Sequence, residues 1–79
     1  MPRVYLTEKE RLCRRLARYV YGEMRVRKIS QQTLADKRGI SRQALGRKLK
    51  EAIFSYEDFI FFVKEFQPSN KELLEIIDL

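Results

Sequence analysis

The chain has 79 residues, with 17 Lys or Arg, 11 Asp or Glu, no His, no Trp and a single cysteine, Cys13. This length allows one small domain, near the lower limit of what a single apolar core stabilises alone. Without His and with one thiol, the sequence lacks the ligand set of a structural zinc site and a His-activated nucleophile. We therefore expect no enzyme, with no catalytic residue, no metal site and no cofactor.

The single cysteine also excludes a disulfide framework, so we read Cys13 as a small core residue in a reducing compartment. No apolar run approaches the ~18–20 residues of a membrane span, and residues 1–6 lack the apolar core of a secretory signal. The expected location is the cytoplasm.

Charge is distributed unevenly along the chain. Residues 1–50 contain 15 Lys or Arg and 4 Asp or Glu, whereas residues 51–79 contain 2 and 7, so the halves carry net charges of +11 and −5. A basic surface favours a polyanionic partner, and the asymmetry indicates that the two halves face different partners. A solvated basic surface without a partner is the alternative.

A short N-terminal arm, residues 1–6, precedes the first predicted helix. Thr7 and Glu10 form a capping-box pattern, which is typical of a helix start. Apolar residues then recur every four positions and predict an amphipathic helix over about 8–27: Leu12, Leu16, Val20 and Met24.

Two shorter helices follow. Ser30 is a cap for a helix over about 31–38, which Gly39 ends because glycine readily adopts a left-handed backbone. Ser41 is a cap for a helix over about 42–52.

Two further helices complete the prediction. Ser55 with Asp58 opens the fourth, which Pro68 stops by about residue 66, and Ser69 with Glu72 opens the last, over about 70–78. No strand pattern is present, so the predicted fold class is all-α, with residues 7–79 forming one domain of five helices.

The acidic C-terminal third contains six of the nine aromatic residues. Most share one face of the fourth helix and are expected in the core, but Phe61 points about 200° away from Phe59 and would be exposed in a monomer. The last helix carries more apolar residues than one buried stripe needs, including Leu74 and Ile77. We expect Phe61, Leu74 and Ile77 to form a surface for a homodimer or a protein partner.

The helices predicted at 31–38 and 42–52, joined by a turn containing Gly39, have the order of a helix-turn-helix. At 100° per residue, Gln43, Arg47 and Lys50 lie on one face of the second of these helices, whereas Leu45 and Leu49 lie on the other. Such a helix can enter a DNA major groove while it stays attached to a core.

At these residues the sequence resembles the Cro and phage-repressor (Xre-type) helix-turn-helix family. The matching elements are Gln31, Leu34-Ala35, Gly39-Ile40-Ser41 and Leu45, and the five-helix outline extends the resemblance over about residues 12–77. The resemblance implies a compact lambda-repressor-like domain whose helix-turn-helix core is about 31–52.

The resemblance also implies roles for single residues. Gln31 stands where the family contacts a phosphate, and base edges with adjacent phosphates are contacted from the positions of Ser41, Arg42, Gln43 and Arg47. Arg pairs with guanine and Gln with adenine in such grooves, and we assign Lys48 and Lys50 to the DNA backbone.

The sequence departs from the family pattern at three places. Arg38 replaces a usual aliphatic residue and Lys48 a common apolar one. Met24 and Leu49 stand where many members have an Arg–Glu ion pair, so we expect an apolar Met24–Leu49 contact instead.

The sequence therefore predicts a DNA-binding regulator of transcription, of phage or mobile-element character, that is associated with the nucleoid when bound. We expect a repressor, because so short a chain has no room for an effector domain. Two alternatives stay open: a protein-binding adaptor or antirepressor that uses the acidic aromatic helices, and a non-specific nucleic-acid-binding protein. Likewise, the helix at 42–52 could be a plain surface helix and Gln31 a solvated first-turn residue.

Overall fold

A computed structural model describes residues 7–77, and every regular element within this range is a helix. The helices are α1 (Glu8–Arg27), α2 (Gln31–Arg38), α3 (Arg42–Glu51), α4 (Tyr56–Phe66) and α5 (Asn70–Ile77). The all-α prediction is confirmed, while the predicted arm at residues 1–6 lies outside the described residues. None of the helices in residues 7–77 combines the length and apolar character needed to cross a membrane.

Each helix begins after the hydroxyl side chain that the sequence predicts. The hydroxyl oxygen accepts a hydrogen bond from the backbone N–H three residues later, at 3.0–3.2 Å, in all five cases: Thr7, Ser30, Ser41, Ser55 and Ser69. In three of them a carboxylate accepts from the cap residue's own N–H and closes a capping box: Glu10, Asp58 and Glu72. Local hydrogen bonds thus define where the helices start.

The connection between α2 and α3 depends on a left-handed residue. Gly39 has a φ of 80° and donates its N–H to carbonyl oxygens of Ala35 and Asp36, which ends α2. The next helix, α3, ends at Glu51 rather than at 52, because Ala52 adopts a left-handed conformation with a φ of 54°.

The core lies where α1 packs against α4 and α5 and where α2 packs against α3. Val20, Leu34 and Leu45 have no exposed surface, and Cys13 is buried among them as the sequence predicts. Met24 is half-buried against the same cluster, to which the buried Leu49 belongs. Both residues therefore border the same apolar cluster.

Phe62 is the centre of the aromatic part of the core. Its ring centroid lies 5.4 Å from that of Phe54, 5.4 Å from that of Phe61 and 6.4 Å from that of Phe66. Tyr19 of α1 extends the cluster, with an edge-on contact at 6.2 Å to Phe66. This cluster attaches the acidic half of the chain to α1.

The prediction that Phe61 would be exposed is wrong. Phe61 is half-buried, because the guanidinium of Arg38 lies over its ring at 5.9 Å and Phe62 packs beside it. The prediction from helical angles assumed that only one face of α4 is covered. In the structure, Arg38 of α2 also covers the face that carries Phe61. Tyr56 shows the opposite error: helical spacing puts it on the same face as Phe59 and Phe62, which is expected in the core, but it is 77% exposed.

Asp58 is the one buried charged side chain among the described residues, with 1% of its surface exposed. Its Oδ2 accepts hydrogen bonds from the Ser55 backbone N–H at 2.9 Å and from Lys48 Nζ at 2.8 Å. Its Oδ1 accepts from Arg38 Nε at 3.0 Å. One carboxylate therefore closes the capping box of α4 and ties it to α2 and α3.

The hydrogen bonds to Asp58 also control its ionisation. Burial by itself would raise the pKa of Asp58, but hydrogen bonds from Lys48, Ser55 and Arg38 outweigh it and lower the pKa from 3.8 to about 2. Because the folded state holds the charged form more strongly than the unfolded state does, this group stabilises the fold by about 2 kcal/mol at neutral pH.

We expect this stabilisation to be complete above pH ~5 and to disappear as the pH falls towards about 2, since a depressed carboxyl pKa means that acid protonates the unfolded state first. Asp58→Asn should lower the free energy of unfolding by at least ~2 kcal/mol at pH 7. It should also flatten the loss of stability between pH 5 and pH 2. Urea unfolding of both proteins across this range measures the difference, and parallel pH profiles would contradict it.

Candidate nucleic-acid interface

One face of α3 is held against the protein and the opposite face is open. Leu45 and Leu49 are buried in the core. On the other side Gln43, Arg47 and Lys50 are exposed. Within residues 7–77, none of these three side chains takes part in a hydrogen bond or an ion pair. The predicted amphipathic arrangement of α3 is thereby confirmed, and its outward face carries polar and basic groups with unused donors.

The start of α3 is shaped by its cap. The Oγ of Ser41 accepts from the Ala44 N–H at 3.0 Å, so this oxygen serves the helix first. Arg42 follows in the first turn and is exposed. Ser41 and Arg42 therefore lie at the same end of the outward face as Gln43.

Gln31, the first residue of α2, reaches the same region of the molecule. Its side-chain Nε2 lies only 2.8 Å from the position that a Cβ at Gly46 would occupy, so the amide of Gln31 lies across the backbone of α3. Gly46 permits this close approach because it has no side chain. The structure thus brings Gln31 beside the outward face of α3, where it is half-buried rather than fully solvated.

An open groove of about 450 Å³ runs along one side of α3, between its outward face and the segment that follows the helix. Gln43, Ala44 and Arg47 line it from α3, and Ile53 lines it from the connection to α4. Ile53 is 61% exposed and was not singled out from the sequence. Ile53 lines the groove because it follows the end of α3. No helical periodicity in the sequence indicates that position.

Lys48 has a different environment from its neighbours on α3. Its ammonium lies 2.8 Å from Asp58, and its side chain is 31% exposed. The structure therefore gives this residue, which the sequence assigned to the DNA backbone, a partner inside the protein. Arg38 has the same partner at 3.0 Å.

Several basic residues of the N-terminal half form ion pairs or hydrogen bonds within the protein. Arg27 pairs with Glu23 at 3.0 Å and donates to the Phe66 carbonyl at 2.8 Å, and Lys37 pairs with Glu65 at 2.8 Å. The charge excess that the sequence shows is therefore only partly available for an external partner. Within residues 7–77, the cations without an internal partner concentrate on α3 and on the exposed side of α1.

The exposed arginines of α1 were not among the DNA-binding residues predicted from the sequence. Arg11, Arg14, Arg18 and Arg25 are all exposed on this helix. Their spacing of three, four and seven residues is the signal that was available, because it places them on one helical face.

No group of three or more acidic or cysteine side chains within residues 7–77 is arranged to hold a metal ion.

Two of the three residues predicted to form a partner surface are exposed apolar residues of α5. Leu74 is 48% and Ile77 is 42% exposed. Phe61, the third residue predicted there, is instead packed between Arg38 and Phe62. The exposed apolar surface of α4 and α5 is accordingly smaller than the sequence predicts.

Gly46→Ala tests the approach of Gln31 to α3. Alanine stabilises a helix interior by about 1 kcal/mol relative to glycine, but here the new Cβ must displace the Gln31 amide from 2.8 Å. Because that amide is the end of a flexible side chain, we expect a stabilisation smaller than 1 kcal/mol, measured as a rise in the thermal midpoint.

Gly22→Ala is the matched control, since a Cβ at this helical position meets nothing within 4 Å and should give the full gain. Adding Gln31→Ala to Gly46→Ala should restore the difference. Equal midpoints for the two alanine variants would contradict the contact.

Comparison of the chain with protein-family models finds no match, and comparison with curated proteins and with solved structures finds no match either.

Proposed function

We propose that this protein binds duplex DNA sequence-specifically and regulates transcription, with α2 and α3 acting as a helix-turn-helix and α3 entering the major groove. The observation that carries the proposal is the outward face of α3: Gln43, Arg47 and Lys50 are exposed and unpaired within residues 7–77, while Leu45 and Leu49 anchor the helix. A major groove about 12 Å wide accepts one α-helix.

The side chains on this face match the donors and acceptors of base edges. Arg47 and Arg42 carry the bidentate fork that fits guanine O6 and N7, and Gln43 carries the amide that fits adenine N6 and N7. From Gln43 to Lys50 the face extends about 10 Å along the helix axis, which corresponds to about three base pairs. Ile53 at the groove beside α3 offers an apolar contact for a thymine methyl group.

Contacts to phosphate would hold the protein in register. Gln31 at the start of α2 and Lys50 at the end of α3 bracket the base-reading face, and both donate hydrogen bonds of the kind that phosphate oxygens accept. We give Lys48 a smaller part, because its ammonium already faces Asp58. Occupancy of a site by the bound protein is the mechanism of repression that we propose.

Arg47→Ala and Gln43→Ala should each lower the preference for a site selected from a random pool by about 5- to 150-fold, because each bidentate pair gives about 1–3 kcal/mol of discrimination. Fluorescence anisotropy with the selected duplex and a scrambled duplex, at two salt concentrations, measures this ratio. Single-stranded RNA of equal length tests the choice of nucleic acid.

Arg47→Lys is the matched control for this experiment, because it keeps the charge and loses the bidentate fork. It should retain the salt dependence of binding but lower the preference between duplexes about as much as Arg47→Ala does. Equal weakening on both duplexes would support non-specific binding by charge. No duplex binding at low salt would overturn the proposal and favour a protein partner.

We also propose that the protein is a homodimer through α5, since Leu74 and Ile77 are exposed apolar residues on one helix. A dimer would allow two copies of α3 to meet half-sites about 34 Å apart. Replacing both residues by lysine should convert a micromolar dimer to a monomer in sedimentation equilibrium.

Val26→Lys is the control for the dimer experiment, because Val26 is 76% exposed but lies on α1. It should leave the dimer intact. A wild-type protein that stays monomeric well above micromolar concentration would contradict dimerisation without affecting the DNA proposal.

A further inference from the structure

The exposed side of α1 carries a continuous basic face. Arg11, Arg14, Arg18 and Arg25, together with Tyr21, lie within about 80° of one another around the helix. All five are exposed, and Tyr21 keeps 44% of its surface accessible. We call these five residues the α1 arginine face; it extends about 21 Å along the helix axis.

None of the acidic residues of α1 forms an ion pair with this face within residues 7–77, although Glu10 lies one turn before Arg14. Glu8 and Glu10 occupy the first turn, where Glu10 closes the capping box, and Glu23 is about 140° from Arg18 and pairs with Arg27. The four arginines of the face have no ion pair within residues 7–77. Four cations without neutralising partners raise the local potential and attract a polyanion.

The position of the face relative to α3 indicates which polyanion it fits. Arg14, Arg18 and Tyr21 line an open groove of about 450 Å³ whose other wall is the end of α3, including Lys50 and Glu51. A separate groove, lined by Gln43, Arg47, Glu51 and Ile53, runs along the other side of α3. The two grooves share Glu51, so they flank the helix that we place in the major groove.

A helix in the major groove has one sugar–phosphate backbone on each side. We propose that the α1 arginine face follows one of these backbones, with the arginines pairing with phosphates and the Tyr21 hydroxyl donating to a phosphate oxygen. This inference rests on the proposed function and adds a second contact surface to it. The face supplies affinity and salt dependence but no base readout.

Acidic neighbours determine which arginines test the inference best. Arg18 also lines a groove with Glu72 and Glu75 of α5, so its replacement would change more than a DNA contact. Arg14 and Arg25 do not line that groove. Both are exposed helical positions where alanine preserves helix stability, so the double variant is expected to fold.

The test compares Arg14→Ala/Arg25→Ala with the wild type on the selected and the scrambled duplex across a salt series. The logarithmic salt slope should fall by about 1.8, at ~0.9 for each lost phosphate contact. The preference between the two duplexes should stay unchanged. Arg14→Lys/Arg25→Lys should keep the slope because it keeps both charges.

Lys64→Ala/Lys71→Ala is the matched control, since it removes two exposed charges from α4 and α5 rather than from α1. A slope equal to that of this control would overturn the inference while the wild type's preference between duplexes still supported the proposed function. A loss of preference in the α1 variant would also overturn it. Wild-type protein that binds no duplex would overturn both proposals.

Discussion

The carboxylate of Asp58 is the point at which three helices are joined. It is buried, it closes the capping box of α4, and it accepts charged hydrogen bonds from Arg38 of α2 and Lys48 of α3. A buried charge is costly unless it is paired, so Arg38, Lys48 and Asp58 depend on one another. This set explains why basic residues, rather than apolar ones, stand at positions 38 and 48: a buried acid lies between them. The orientation of α3, and therefore of its outward face, depends on that arrangement.

The same interactions divide the positive charge of the N-terminal half into two groups. Arg27, Lys37, Arg38 and Lys48 contact acidic side chains and help to hold α1, α2 and α3 against their neighbours. A second group, on the outward face of α3 and the α1 arginine face, has no such partner within residues 7–77. Net charge alone does not distinguish the groups, whereas the ion pairs do. The proposed DNA contacts use the second group.

Helix positions were predictable to within about one residue in this sequence, and so was the inward direction of Leu45 and Leu49. Both depend on information within a few residues of chain. The surroundings of α4 were less predictable: Phe61 is covered by Arg38 although it faces away from the main stripe, and Tyr56 is exposed although it lies near it. Helical angle gives a direction but does not tell which neighbouring elements lie in that direction.

The sequence by itself determined the local structure. A cap such as Ser41 accepts its hydrogen bond from the N–H of Ala44, only three residues further along the chain. It also determined the chemistry available on α3, since helical spacing sets which residues share a face. Only the tertiary structure decided which Lys and Arg side chains form ion pairs inside the protein. Arg38 and Asp58 are separated by 20 residues, and Lys37 and Glu65 by 28. Such pairings follow from how the helices pack. Which arginines of α1 and α3 stay unpaired can therefore be seen only in the folded structure.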